Sequence, residues 1–489
     1  MKTSSTGQSL FELPRLLKLT PFEHFQYWET QDGFPNQIVA TLDFVGFFDA
    51  AVFVAAVVRT LPRHPLLFSR IKVAGEAPVA FVWTEGQPRF ALDPEAADAN
   101  IDPAQDPQSQ LERFGLQDYV RLQVQADGWQ PQQLDDLPEV HPARGASFRL
   151  TIQFNRTHCR WIMQSHHAVC DGVGGLQSIR ELLQVYHWLS TESKEPFPLR
   201  PMQMERLQNR GRLMRGTASW VSRLGTLPMK WIGLFGASKF LWRRPVSLCP
   251  TRPQSNLAPA KLAWVDGRLT ASQSQRLRQI AKEFGVTVNS LLLAHWLATL
   301  HRFRCQNGRT SDGSRECYRL MIPTNERTGG DVALSACNQV SMVYVDRWSH
   351  EMEHIDGLAA GIDFEMSVIR RWGLSGTFLL ALKVLSWFPG LIRRYARRPS
   401  CWATSYVTNL GPILERLRVG RSGPFSQVGK LTLADIRLLP PLRPSLPAAL
   451  AVHLYAGQLC LTLHYDPGEI PTEQSAELMR AMLNRLRTQ

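Results

Sequence analysis

Between Phe148 and Tyr186 the hydrophobic period of the chain changes abruptly, and this change limits the fold more than any other feature. Phe148, Leu150, Ile152 and Phe154 alternate with polar residues, Asn155-Arg156-Thr157 supplies a turn, and Cys159, Trp161, Met163, Ser165 and His167 then share one face by period two. From Gly174 the spacing becomes helical, with Leu176, Ile179, Leu183 and Tyr186 on one stripe. A hairpin that runs straight into a helix places the chain in the mixed α/β class. At the junction stands His166-His167-Ala168-Val169-Cys170-Asp171-Gly172, an HHxxxDG run where a strand ends and a helix begins.

The two histidines cannot share one task. On a strand His167 faces the side of Trp161 and Met163, and His166 the opposite side with Ile162. An imidazole at the open end of a sheet can take a proton from a hydroxyl or amine, and its titration near neutrality suits a general base. Structural readings stand beside this one. The pair can be ordinary strand-end histidines, Asp171 can be the N-cap of the following helix, and Gly172, Gly174 and Gly175 can be turn residues. The glycines do not follow dinucleotide-binding spacing. No metal is expected, because period two splits His158, Cys159, His166, His167, Cys170 and Asp171 across both faces and their spacing matches no common zinc pattern.

At 489 residues, 44% apolar and 20% charged, the chain exceeds what one hydrophobic core serves, so two lobes are expected. The boundaries read as an N-terminal lobe over 1–195, a basic crossover over 196–260 and a C-terminal lobe over 261–489. After Thr20 the pattern is helix, strand, helix, strand, with Phe44 to Ala56 as a buried helix leading to Arg63-His64-Pro65. Residues 84–145 read as long loops around short strands. In the second lobe, helices are expected over 270–284 and 288–303, and strands near 318–323, 338–346 and 406–409. A hairpin over 449–465 and a capped helix from Thr472 complete it. The first twenty residues lack the apolar stretch of a secretory signal, and the eight cysteines are scattered, so an intracellular protein with reduced thiols is expected.

Charge is unevenly placed. Residues 200–244 hold ten basic residues and one acid, and residues 366–400 hold seven and none. Together they exceed the net +13 of the chain, so the remainder is slightly acidic. No nucleic-acid partner is expected. Trp220, Trp231, Phe235, Phe240 and Trp242 accompany the first segment, and Trp372, Phe378, Trp387 and Phe388 the second, a combination that favours an anionic membrane surface. The stretch Leu374 to Ile392 is interrupted by Lys383 and Pro389 and reads as a surface or lobe-interface helix rather than a span. A cytoplasmic protein, peripheral on the inner face of the membrane, is the expectation. The alternative is that both segments pack at the lobe interface with arginine stems over apolar surface.

Further landmarks give the HHxxxDG run a context. They are Leu19-Thr20-Pro21-Phe22, Arg63-His64-Pro65-Leu66-Leu67-Phe68-Ser69-Arg70, Gly285-Val286-Thr287-Val288-Asn289-Ser290, Pro323-Thr324-Asn325-Glu326-Arg327, Asn338-Gln339-Val340-Ser341 and Thr408-Asn409-Leu410-Gly411. In this order they resemble the thioester-dependent acyltransferase superfamily, which includes chloramphenicol acetyltransferase, peptide-synthetase condensation domains, wax-ester synthase/diacylglycerol acyltransferases and plant-type acyltransferases. The plant-type DFGWG motif is absent and no clear wax-ester signature is present.

The resemblance implies two chloramphenicol-acetyltransferase-like lobes of mixed α/β sheets with a tunnel at their interface. It implies that His167 is the base for transfer of an acyl group from an acyl-CoA or acyl-carrier protein to a small-molecule or lipid hydroxyl or amine. His166 precedes it in the motif, Asp171 holds the loop through Arg327 or Arg70, and Gly172 leaves the tunnel unobstructed. Thr408, Asn409 and Ser341 are candidate donors to a developing oxyanion. No tightly bound cofactor is expected, and the chain is expected to stand alone without a carrier domain after Gln489. Two other readings fit the same fold: an amide-forming condensation enzyme, and a non-catalytic protein that binds a lipid or thioester.

Overall fold

The computed structural model describes residues 16–75, 77–83, 105–126, 129, 134, 137–199, 204–210, 240, 242–249, 263–309, 315–328, 334–398, 400–413 and 426–488. In chain order these form β1 (Leu16–Lys18), α1 (Pro21–Glu29), β2 (Gln37–Gly46), α2 (Ala50–Thr60), β3 (Arg70–Ala74), β4 (Ala77–Val82), α3 (Pro107–Arg113), β5 (Val120–Val124), β6 (Phe148–Phe154), β7 (His158–His166), α4 (Gly172–Ser190) and α5 (Met204–Gln208). There follow β8 (Ala263–Arg268), α6 (Ala271–Glu283), α7 (Val288–Gln306), β9 (Cys317–Asn325), β10 (Val340–Trp348), α8 (Ile355–Trp372), α9 (Gly376–Leu385), α10 (Leu391–Ala396), β11 (Ser405–Pro412), β12 (Gln427–Val428), β13 (Leu431–Leu439), β14 (Ala448–Tyr455), β15 (Gln458–Tyr465) and α11 (Thr472–Arg487).

Two mixed six-stranded sheets organise the chain, ordered β12-β13-β2-β7-β6-β5 and β10-β9-β11-β14-β15-β8, with a small β1-β4-β3 sheet beside them. Phe44, Trp161 and Met163 from the first sheet pack with Phe53 and Val57 of α2 and with Ile179, Leu183 and Tyr186 of α4. The second core is built on α7, whose Leu291, Trp296, Leu297 and Leu300 are buried among Leu320, Val345, Leu450 and Leu463 of the sheet. Trp296 Nε1 donates to Ser405 Oγ at 3.0 Å, which satisfies the one polar atom of a large buried ring. A third apolar cluster, with Phe22, Phe25, Phe378 and Tyr406, lies between α1, α9 and the second sheet.

Chain order and lobes part company at one place. β13, which lies within 261–489, pairs antiparallel with β2, Leu433 opposite Phe44 and Leu439 opposite Val39, and so extends the first sheet. Its end feeds directly into the cleft between the sheets.

The structure moves three expected boundaries. Phe44 belongs to β2, not to a helix: the strand ends at Gly46, whose φ of +127° and 2.1 Å approach of an added Cβ to the Lys430 carbonyl admit only glycine. The helix begins after Asp49, whose Oδ1 accepts from Val52 N. Leu374 to Ile392 is two helices, α9 and α10, parted by Pro389 and by Gly390 in the left-handed region. Thr472 opens α11 but does not cap it; the capping position is Pro471, which makes no side-chain bond. Trp220, Trp231, Phe235 and the basic residues Arg200, Arg212, Arg215, Arg223, Lys230 and Lys239 lie outside the described residues.

Candidate active site

β7 delivers the histidine pair to the cleft and α4 carries the chain away from it. His166, the last residue of β7, is fully buried. Its Nδ1 accepts from Ala168 N at 3.1 Å, which leaves the proton on Nε2, 2.8 Å from Thr30 Oγ1. Burial first, and then neighbouring His141 and His167, hold its pKa well below the ordinary histidine value. This ring is a neutral structural bridge between β7 and the end of α1.

His167 lies one residue past the strand and is differently placed. Its backbone is fixed on both sides, with N–H donating to Asn36 O at 2.9 Å and its carbonyl accepting from Asn338 Nδ2 at 2.9 Å. Nδ1 is buried, the ring lies near the residue's own carbonyl and the Asn338 amide, and the residue lines the cleft. The Phe22 and His167 rings pack in a T-shaped arrangement with centroids 6.2 Å apart. Burial pushes the pKa down to about 4, only partly offset by the His167 carbonyl and Asp171, so at neutral pH the imidazole is uncharged.

Asp171 is wholly occupied. Oδ1 accepts from Gly174 N at 2.8 Å as the N-cap of α4; Oδ2 accepts from Gln339 N at 2.7 Å and from Arg327 Nη1 at 2.9 Å. Arg327 also donates from Nη2 to Cys337 O at 2.9 Å. Arg70 is exposed on β3 and is not the partner. The carboxylate therefore ties the histidine loop to the 334–339 segment of the second half.

The cleft encloses about 750 Å³ of space, its mouth included. His167, Asp171, Gly172 and Leu176 line one side, Pro323, Asn325, Arg327, Tyr406, Thr408 and Asn409 the other, and Leu438 to Pro441 close one end. The three proposed oxyanion donors thus separate. Thr408 and Asn409 line the cleft, whereas Ser341 is buried outside its lining and donates to Ser375 O at 2.5 Å. Asn409 Nδ2 is engaged with Asn289 Oδ1 at 3.0 Å, and Thr408 stands beside the Tyr406 hydroxyl. A Cβ on Gly172 would meet only Leu410 methyl groups at 3.9 Å, so this glycine leaves open space in the cleft.

Sequence reasoning passed over several contributors. Asn338, named only as a strand landmark, bonds the carbonyls of both His167 and Ala168 at 2.9 Å. The close approaches are at Gly174, where a Cβ would lie 2.9 Å from Cys337 O, and Gly175, 2.9 Å from Met163 Cε. The buried cluster Arg63–Glu181–His64 reaches the same segment, for His64 Nδ1 accepts from Ala336 N at 3.0 Å. The adjacent Arg63-His64 and the helical position of Glu181 gave no signal of this contact, because the partner lies 272 residues away in the chain. Among the described residues no group of three or more His, Cys, Asp or Glu is placed to hold a metal ion.

No protein-family model and no curated protein matches the chain. Solved structures do. The first condensation domain of the calcium-dependent antibiotic synthetase is 16% identical, with a TM-score of 0.66 over 97% of this chain and 96% of that one. The starter condensation domain of rhizomide synthetase, crystallised as an arginine-to-alanine variant with C8-CoA, is 14% identical, with a TM-score of 0.65 over 96% and 94%. Polyketide synthase associated protein 5 from Mycobacterium tuberculosis is 14% identical, with a TM-score of 0.59 over 96% and 98%. The chain has the two-lobed condensation-domain fold, a mixed α/β architecture.

Proposed function

We propose that the protein is an acyltransferase in which His167 removes the proton of an acceptor hydroxyl or amine as that group attacks the carbonyl of an acyl thioester. The observation that carries this reading is the place of His167 in the lining of a cleft whose other motif groups are tied to protein partners. In sequence, Nε2 takes the acceptor proton, the acceptor–acyl bond forms, the carbon–sulfur bond breaks, and the proton passes to the departing thiolate. Thr408 is the donor best situated for the carbonyl oxygen, since it lines the cleft and Ser341 does not. A CoA thioester as donor is supported by the rhizomide synthetase domain's complex with C8-CoA. An acyl-carrier protein would present the same thioester. Asp171, Arg327 and Asn338 hold the histidine loop.

A largely apolar cleft with one base suits an acyl chain and its acceptor better than a polar substrate. A cytoplasmic protein resting on the membrane would meet such donors, and the outer face of α9 is the surface that would rest there. The amide-forming alternative differs only in the acceptor, and the binding-protein alternative in the absence of turnover.

Free thiol released from a panel of acyl-CoAs, with alcohol or amine acceptors present or omitted, tests all three readings. Acceptor-dependent release that falls roughly 10²- to 10⁴-fold in His167→Ala, and far less in His166→Ala, is expected. Equal small losses in both variants would remove the base assignment. Thioester binding without release in any combination would favour the binding protein.

A further inference from the structure

α9 is apolar on two sides, and only one of them is used by the fold. Phe378 and Leu382 turn inward, with Phe378 against Phe22 and Phe25 at ring-centroid distances of 6.4 and 5.7 Å. Leu380 and Val384 lie on the other side, Trp387 and Phe388 continue the same spacing in the turn after the helix, and the four are 42%, 38%, 67% and 55% exposed. Single exposed apolar residues are ordinary; a contiguous stripe of four large ones marks a surface that something covers.

The charge around the stripe has one sign. Lys383 lies within it, Arg393, Arg394, Arg397 and Arg398 follow on and beyond α10, and Arg370 and Arg371 precede it, while residues 366–400 contain no Asp or Glu. Arg393 and Arg397 sit over the Trp28 ring at 4.9 and 5.1 Å, which fixes part of this positive surface. An open depression lined by Leu391, Tyr395 and the same arginines adjoins it.

We propose that this face docks on an anionic phospholipid bilayer, with Trp387 and Phe388 in the headgroup layer and the lysine and arginines on lipid phosphates. A protein partner would have to supply an acidic surface fitted to one geometry. Five consecutive exposed residues, Ser386 to Gly390, with Trp387 and Phe388 among them and cations on either side in the chain, suit a fluid surface with an apolar interior instead. The inner side of the same helix reaches Phe22, whose ring centroid lies 6.2 Å from that of His167, so docking would set the side of the protein behind His167 toward the lipid. The inference does not depend on acyl transfer.

Co-sedimentation of the full chain with vesicles of phosphatidylcholine alone, or mixed with phosphatidylglycerol, is the test. Binding to the mixed vesicles that weakens with salt is expected. Lys383→Glu with Arg394→Glu should reduce partition at least about twentyfold, since each surface charge near an anionic bilayer changes it by about fivefold. Trp387→Ser with Phe388→Ser should reduce partition and remove quenching of tryptophan fluorescence by brominated lipid. Both double variants alter exposed residues, and unchanged melting temperatures and unchanged turnover of a short, water-soluble acyl-CoA would separate lost docking from lost folding or lost chemistry. No binding to the anionic vesicles at low salt, equal binding to both vesicle types, or binding indifferent to both double variants would overturn the proposal.

Discussion

The two walls of the cleft use their polar atoms in opposite ways. On the wall that runs from β7 into α4, both ring nitrogens of His166 and both carboxylate oxygens of Asp171 are bonded within the protein, and His167 lines the cleft beside them. On the wall built by β9, β11 and the end of β13, Thr408 and Asn409 stand at partly or fully exposed positions, and Asn409 is held by Asn289 and by the Gly411 N–H at the surface. The fold therefore fixes the histidine loop through its backbone and through Asp171, while the facing wall leaves open space. Under the proposed function, a base held this way needs no rearrangement before it accepts a proton, whereas the donors opposite are positioned by the substrate as much as by the fold.

The largest effect that bears on this contrast is at the buried ion pair. Arg327→Ala leaves Asp171 as an uncompensated charge in the interior, so unfolding in urea should show a loss of about 3 to 5 kcal/mol, with turnover lost as well because the histidine loop is released. Thr408→Val on the facing wall should unfold within about 0.5 kcal/mol of the parent. Equal stability of the two variants would erase the distinction between the walls. An Asp171→Asn protein with an unchanged melting temperature and no turnover would make Asp171 a participant in the chemistry instead of a support.

How far these walls could be foreseen follows the same division. The β6–β7 hairpin and α4 were plain because their signals are local: alternation, a polar turn and a helical stripe all lie within forty residues. The strands at 317–325, 340–348 and 405–412 were placed to within a few residues for the same reason. β13 was not foreseen. Its pairing partner β2 is almost four hundred residues earlier, and nothing in Leu431 to Leu439 itself says to which sheet it belongs. Among site residues, the histidines and aspartate were visible as a motif, but Asn338, Gly174 and the Arg63–Glu181–His64 cluster act through contacts between distant segments. A single sequence does not encode those contacts locally. Ser341 was misjudged because strand alternation tells which face a hydroxyl is on, and the Ser375 carbonyl that consumes it comes from a separate helix.

A second test uses pH. Burial holds His167, His453 and His464 down at about 4, and His166 well below the ordinary value. In the unfolded chain His167, His453 and His464 take up protons below about pH 6.5, while in the folded protein these three stay neutral until near pH 4. Their contribution is fully present above pH 6.5 and is lost as pH falls, by about 2 kcal/mol per group at pH 5. Glu181 works at lower pH: although burial opposes it, His64 and Arg63 bring its pKa down to about 2, so its contribution is lost only as pH falls from about 4.5 toward 2. The melting temperature should thus decline steeply between pH 7 and 5. His453, fully buried and outside the lining of the cleft, offers the cleanest control. His453→Leu should flatten that decline without touching turnover at pH 7, and an unchanged slope would show that its imidazole is already charged in the folded protein.

The smallest expected effects separate two neighbouring glycines. Gly174 lies where the α4 end of the first wall meets the 334–339 segment, and an added Cβ would press on the Cys337 carbonyl at 2.9 Å and on Arg327 Nη2 at 3.1 Å. A backbone atom is the obstacle, so Gly174→Ala should cost about 1 to 3 kcal/mol. Gly172 faces the space between the walls, with nothing nearer than the Leu410 methyls at 3.9 Å. There alanine removes unfolded-chain entropy at the first position of a helix, and Gly172→Ala should be neutral or more stable by up to about 1 kcal/mol. If the space is where substrate sits, the same methyl should raise KM for a long-chain acyl-CoA more than for acetyl-CoA while leaving the melting temperature intact. A Gly172→Ala protein whose KM values are unmoved for both donors would place the acyl chain elsewhere and leave the open wall without its assigned occupant.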